Sequence, residues 1–324
     1  MARSIDWESR IGRRLRLRDL HVLSTVAQFG SMAKAAAHLR VTQPAVSKAI
    51  GDLEAAVGAR LLDRSPHGVE PTVYGQALLK CELAVFDELK QAVRNIEQLA
   101  DPSVGELRIG CQGVLAFAIL APIIKRMSQR YPRLDFNVTQ LISPSFEFPE
   151  LRNRTIDLML ALVPAPLAGD KLGDDVNVEV IYQDRVFVVA GAQSRWARRR
   201  KIGLAELSDE DWLVAPPGSW TRSFVAAAFR AKGLPMPRTK VTTFSYSVYQ
   251  SLFATGKFIG ALGGLAVLSG NQAGLKALPV ETPVWPWPVA IITLKHRTLS
   301  PAVQRFVEHV RAFVTSLPQH PGPS

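Results

Sequence analysis

The chain has 324 residues, is 47% hydrophobic and 21% charged, and carries a net charge of +11. That is a globular composition with length for two or three domains, and it excludes disordered, collagen-like and disulfide-scaffold proteins. The first twenty residues are charged throughout and offer no apolar stretch, so no secretory leader is expected. The apolar runs around Gly113 to Ile124 and Phe258 to Gly270 fall short of the ~20 residues of a membrane span. Cys81 and Cys111 sit at no metal-ligand or redox spacing, so no metal is expected and the expected location is the cytoplasm. Residues 1–100 carry 14 Lys/Arg against 11 Asp/Glu, the remainder 25 against 17. The basic surplus is therefore not concentrated at the front. Two basic runs, Arg10 to Arg18 and Arg195 to Lys201, read as a solvated arm and a solvated face.

The chain changes texture near residue 100, from apolar residues at helical spacing to short β-rich segments alternating with helices. In the front part, Leu20, Leu23, Val26 and Ala27 form the apolar face of a first helix that stops at Gly30. Ser31 is placed to cap a second helix whose inward side is Met32, Ala35, Ala36 and Leu39. Thr42 is placed to cap a third, with Pro44 in its first turn and Ala45 or Val46, Ala49, Ile50 and Leu53 facing the core. Gln43, Pro44, Ser47, Lys48 and Gly51 are left outside. Two helices joined by a short connection, the second with a polar and uncluttered N-terminus, suit a helix-turn-helix entering a major groove. After Gly58, the segment ARLLDRSPHGVEPTVYG reads as a two-stranded wing carrying Arg64 and His67. His67 reads as an exposed turn residue. Leu78, Cys81, Val85, Leu89, Val93, Ile96 and Leu99 then recur every three or four residues, the stripe of a long helix that is most economically buried against its copy in a dimer. Cys81 is a spacer on that stripe. The following LADPSVGELRIG reads as a hinge near residue 103.

The string AQFGSMAKAAAHLRVTQPAVSKAIGDLEAAVGARLLDRSPHGVEPTVYG resembles the winged helix-turn-helix of LysR-type transcriptional regulators. It departs only mildly, at Leu62 and Tyr74. GELRIG with APIIKRMSQRYPRLDFNVTQ, LRNRTIDLMLAL, FATGKFIGALG and LSPAVQRFVEHVRAF are similar, more loosely, to the family's effector domain. The resemblance implies an α plus α/β chain: a winged helix-turn-helix with a basic arm (1–76), a linker dimerisation helix and hinge (77–103), and a two-lobed effector domain of the type 2 periplasmic-binding-protein kind (104–324). Lobe I is expected at about 104–165 and 267–324, lobe II at about 166–266. The resemblance further implies binding to double-stranded DNA upstream of a promoter as a homodimer or homotetramer, contact with RNA polymerase, and a small-molecule effector of unknown identity in the cleft.

In the DNA reading, Thr42, Gln43, Pro44 and Ser47 face base edges or the flanking backbone, Gln43 suiting adenine and Pro44 a thymine methyl. Ser31, Lys48 and Arg64 hold phosphates. A two-fold dimer predicts an interrupted palindrome with half-sites about one helical turn apart, or a multiple of it. Carried over from the family pattern, the effector residues are Gln112, Gly113, Ser143, Pro144, Ser219, Trp220, Thr221, Arg222, Ser245, Tyr246 and Ser247. Several are small hydroxyls at expected helix starts, where backbone N–H groups favour an anion. Each equally reads as a plain cap, and Trp220 as a core cover. No catalytic residue is expected: G-x-S-x-G, Walker, paired-carboxylate and H-E-x-x-H patterns are missing, and the six His are scattered. A solute-binding protein and a DNA-binding protein that senses nothing are the other readings. The front domain and the expected lack of a leader speak against the first, while the second stays open.

Overall fold

The computed structural model describes residues 15–65, 68–101, 104–141, 147–163, 172–269 and 274–318. The chain divides into two compact units, residues 1–92 and 93–324. The first opens with helices α1 (Leu17–Phe29), α2 (Met32–Leu39) and α3 (Gln43–Val57), followed by the antiparallel strands β1 (Leu62–Ser65) and β2 (Gly68–Pro71). Leu20, Leu23, Val26, Ala35, Val46, Ile50, Leu53 and Leu61 form its core. Each large aliphatic side chain there contributes roughly 1.5–3 kcal/mol by leaving water. Of the two alternatives on α3, Val46 is buried and Ala45 exposed.

Local chemistry sets the wing. Gly30 ends α1 in the left-handed region at φ 61, and its carbonyl accepts from the Val69 amide on β2 at 2.9 Å. Glu54 on α3 reaches the other strand, its Oε1 accepting from the Leu61 and Leu62 amides at 2.8 and 3.4 Å. Helix α4 (Val73–Ala100) leaves the wing at Gly75, where a Cβ would stand 2.1 Å from the Leu61 carbonyl oxygen. Near its start, α4 turns Leu78, Leu79 and Phe86 onto the helix-turn-helix core, and Glu82 accepts a hydrogen bond from Ser24 at 3.0 Å. Leu78 thus packs within its own unit, although the stripe pattern counts it towards a partner.

The second unit holds two five-stranded mixed sheets. In order they are β4-β3-β5-β12-β6, comprising β3 (Val104–Gln112), β4 (Arg133–Leu141), β5 (Leu158–Leu162), β6 (Val176–Tyr182) and β12 (Val289–Leu294), and β11-β7-β10-β8-β9, comprising β7 (Val186–Gly191), β8 (Asp211–Val214), β9 (Thr239–Thr242), β10 (Phe258–Gly263) and β11 (Leu275–Ala277). Helices α5 (Ala121–Arg130) and α8 (Pro301–Thr315) cover the first sheet, and α6 (Trp220–Ala231) and α7 (Tyr246–Ala254) pack on the second. Each sheet has apolar clusters on both faces, as its near-continuous apolar strands require.

The lobe limits differ from those expected. Strand β6 pairs with β12 in lobe I and β11 with β7 in lobe II. The chain therefore crosses first at residues 183–185, not near 165, and returns through residues 278–288, not near 266. Lobe membership is set by which distant strand each segment pairs with, which no local pattern reveals.

One ionic cluster pins lobe I. Asp157, almost fully buried, accepts from Arg108 at 2.6 Å and from Arg297 at 2.7 Å, and Arg297 also donates to the Ile156 carbonyl. Burial raises the Asp157 carboxyl, but the Arg108 hydrogen bonds and the Arg297 charge outweigh it and hold the group below its usual range.

Candidate nucleic-acid interface and effector cleft

Helix α3 begins at Thr42, whose extended backbone makes it the N-cap but whose side chain makes no capping hydrogen bond. Thr42, Gln43, Pro44 and Lys48 are exposed, and Ser47 is half-buried. Because Val46, Ile50 and Leu53 hold the other side in the core, these residues present one polar face. Ser31 accepts from the Lys34 amide at 3.4 Å and serves α2 as its cap. Arg64 is exposed on β1 opposite Val69. His67 lies outside the described residues. The arrangement offers an uncapped helix N-terminus, an amide side chain and an arginine on a short hairpin, which together can read base edges and grip phosphate.

On α4, Cys81 is exposed and Val85 half-buried. Leu89, Val93 and Ile96 are 44%, 55% and 67% exposed, an apolar row left open towards the end of the helix.

In the second unit, the parallel strands β3, β8 and β9 each lead towards a helix start, the position where ligands enter open α/β sheets. Two of these starts face each other across the lobes. A Cβ on Gly113 would lie 3.3 Å from Cβ of Tyr246, and the Phe117 and Tyr246 rings are 6.2 Å apart. Among the described residues, the buried Tyr246 hydroxyl has no hydrogen-bond partner.

The other expected residues divide. Ser219 and Ser245 are N-caps, accepting from the Arg222 and Val248 amides at 3.4 Å each. Thr221 is buried, Ser247 exposed, and Arg222 donates to the Ala215 carbonyl at 3.5 Å. Gln112 spends its Oε1 on the Leu162 amide at 3.0 Å, tying β3 to the end of β5. Trp220 packs against Trp285 with ring centroids 4.9 Å apart and planes tilted by 43°, and donates Nε1 to the Pro286 carbonyl at 3.2 Å. Its ring therefore meets the returning crossing. Ser143 and Pro144 lie outside the described residues. A separate apolar groove of about 570 Å³ opens beside Phe117, Lys125, Leu265 and Phe313, and holds none of the expected effector residues.

Sequence reasoning passes over Asp184 at the first crossing. Its carboxylate accepts from the Arg185, Gly264 and Leu265 amides at 2.8, 2.9 and 3.1 Å, while its carbonyl accepts from Trp287 on the return crossing at 2.7 Å. Burial pushes it up to about 6 even against these donors. An acidic residue between two strand patterns, followed much later by the pair Gly263-Gly264, is the available signal. A side chain on either glycine would strike the carboxylate.

Two family models cover most of the chain: the bacterial regulatory helix-turn-helix protein of the lysR family over residues 17–76, and the LysR substrate binding domain over residues 100–315. The chain belongs to the LysR family of transcriptional regulators. Among LysR relatives, the HTH-type transcriptional regulator GbpR of Azospirillum brasilense is 27% identical over 92% of this chain and 86% of its own. A full-length OxyR variant from Pseudomonas aeruginosa, with one cysteine replaced by aspartate, shares the fold at TM-score 0.58 and 20% identity, over 93% of this chain and 95% of its own. Full-length CbnR, solved with its target DNA, matches at TM-score 0.50 and 23% identity, over 93% of this chain and all of its own. As a LysR protein, the chain is a DNA-binding transcriptional regulator with a small-molecule effector domain, and not an enzyme. Among the described residues no helix is long and apolar enough to cross a membrane.

Proposed function

We propose that this regulator binds an interrupted palindrome near a promoter as a dimer or tetramer, with α3 of each copy in a major groove and Arg64 of the wing on the flanking phosphates. The observation that carries this is the uncapped, exposed start of α3, where Thr42, Gln43 and Pro44 project beside the half-buried Ser47 while Val46, Ile50 and Leu53 anchor the opposite face. Gln43 is the base reader, since its amide can donate to and accept from adenine together. Lys48 and Ser31 set register on the backbone. The open row Leu89, Val93 and Ile96 supports pairing of two α4 helices. RNA polymerase at the promoter is the partner that the bound regulator contacts.

The effector is a small anion held where the starts at Gly113 and Tyr246 meet, its charge answered by backbone N–H groups and the helix dipole of α7. Ser219 and Ser245 keep their helix starts in place as caps, and Tyr246 offers its hydroxyl. Binding favours a closed arrangement of the lobes about residues 183–185 and 278–288, and so shifts the population of DNA-bound geometries. Gln43→Ala is expected to weaken binding to the cognate site by about 1–3 kcal/mol and to leave random DNA nearly unaffected. Fluorescence anisotropy on both duplexes reads this directly, and equal losses on the two remove Gln43 from base reading.

A further inference from the structure

The run Arg195 to Lys201 reads from sequence as a solvated face, and DNA reading by the helix-turn-helix does not use it. In the structure it is a rigid turn. Ser194 caps the single 3-10 turn Arg195–Arg198, Trp196 is buried beneath the Arg195 guanidinium at 5.0 Å, and Ile202 is buried and bridges to Val280. Two of the five cations are neutralised on the spot, Arg195 by Glu210 and Arg199 by Glu206 at 3.0 Å. Arg198, Arg200 and Lys201 are exposed and form no ion pair among the described residues. Glu281, whose carboxylate feels Lys201, is already bonded to Lys232 at 3.0 Å. The turn therefore holds three like charges together on an anchored platform.

The charge count points the same way. Residues 186–277 of lobe II carry 12 Lys/Arg against 4 Asp/Glu, a denser cationic surplus than the 14 against 11 of residues 1–100. We propose that the Arg198, Arg200, Lys201 turn of lobe II is a second, sequence-independent contact to the phosphates of duplex DNA flanking the site that α3 reads. The partner is a polyanion because three exposed cations within four residues, with no carboxylate paired to them among the described residues, can each neutralise a phosphate, and each phosphate neutralised releases a counterion. DNA is the polyanion this protein already binds, and α3 and lobe II belong to one chain, so the second contact is intramolecular once α3 is seated. The inference rests on the DNA-binding reading but not on the role of Gln43.

The test uses the full chain, wild type and R198A/R200A/K201A, on two duplexes: one ending at the footprint and one extending well beyond it on both sides. On the long duplex the triple variant is expected to lower the slope of log affinity against log salt by about 2.7 per contacting protomer, at about 0.9 per phosphate. Between 50 and 200 mM salt that is a roughly 40-fold difference in how much affinity is lost. On the short duplex the two proteins are expected to bind alike. R198K/R200K, which keeps point charges, is expected to restore the long-duplex slope. A wild-type slope for the triple variant on long DNA overturns the proposal and assigns the cations to solvation or to another acidic partner. Equal loss on both duplexes overturns it too, since the turn then acts through the fold or the core site. Absence of site-specific binding by the wild-type protein would instead refute the base-reading role of α3, a distinguishable failure.

Discussion

Replacing Gly75 by Ala adds one methyl where the wing meets α4, and the structure leaves no room for it. The new Cβ would stand 2.1 Å from the Leu61 carbonyl oxygen and 3.3 Å from Cβ of Pro71. That carbonyl cannot easily retreat: it accepts from the Thr72 amide at 2.9 Å, and the Leu61 amide is held by Glu54 at 2.8 Å. Ordinary contact requires a displacement of about 1 Å, comparable to the overpacking that costs about 1–3 kcal/mol in tight cores. It also stretches the Thr72 hydrogen bond, worth about 1 kcal/mol. The gain in helix propensity returns at most about 1 kcal/mol. The net expectation is a loss of about 1–3 kcal/mol from the DNA-binding unit, or roughly 5–20 °C in its melting temperature for a unit of this size. Gly51→Ala makes the same chemical change on α3, where a Cβ meets nothing within 4 Å, and is expected to raise stability by about 0.5–1 kcal/mol. Calorimetry of the two full-length variants reads both signs, and hydrogen exchange over residues 60–75 locates the first. A Gly75→Ala protein as stable as wild type would refute the reasoning, as would two variants destabilised alike.

Three further outcomes follow from the same contacts. Asp184, held at about 6 in the fold against an ordinary 3.8, binds its proton more tightly folded than unfolded. Its contribution is full below about 4 and is lost as pH rises to about 6, some 3 kcal/mol in all. The effector unit should therefore melt progressively lower over that window relative to Asp184→Asn, and parallel melting profiles would contradict this. Arg297→Met leaves Asp157 buried with Arg108 as its remaining arginine partner and is expected to cost about 3–5 kcal/mol in urea unfolding, with a smaller loss when Asp157→Asn is added. An additive double variant would mean the two side chains do not interact. Under the proposed pairing of α4 helices, Val93→Glu with Ile96→Glu puts charge into the interface, so sedimentation should show weaker self-association, and undiminished association would move the interface elsewhere.

The helix-turn-helix is legible because its determinants are local: Gly30 and Gly58 stop helices, Ser31 starts one, and the apolar face of α3 recurs at helical spacing. Only the choice between Ala45 and Val46 needs three dimensions. The lobes are less legible, since β11 acquires its sheet from β7, more than eighty residues distant, and β6 from β12, more than a hundred distant. At the cleft, a serine before a helix reads the same whether it caps or touches a ligand, and Ser219 and Ser245 cap. Gln112 and Trp220 are legible as polar or aromatic but not by direction: one turns to the Leu162 amide, the other to Pro286. Asp184 escapes notice because its importance lies in donors that arrive from Gly264 and Leu265, some eighty residues later.

The most direct test of sequence-specific regulation through α3 is recovery of genomic DNA fragments by the purified protein, with footprinting of the best site at two salt concentrations. The expected result is one or a few interrupted palindromes at promoters, protected at both salts and no longer preferred by Gln43→Ala. Uniform recovery of fragments that fades with salt, alike for wild type and Gln43→Ala, would mean binding by charge alone and would contradict it.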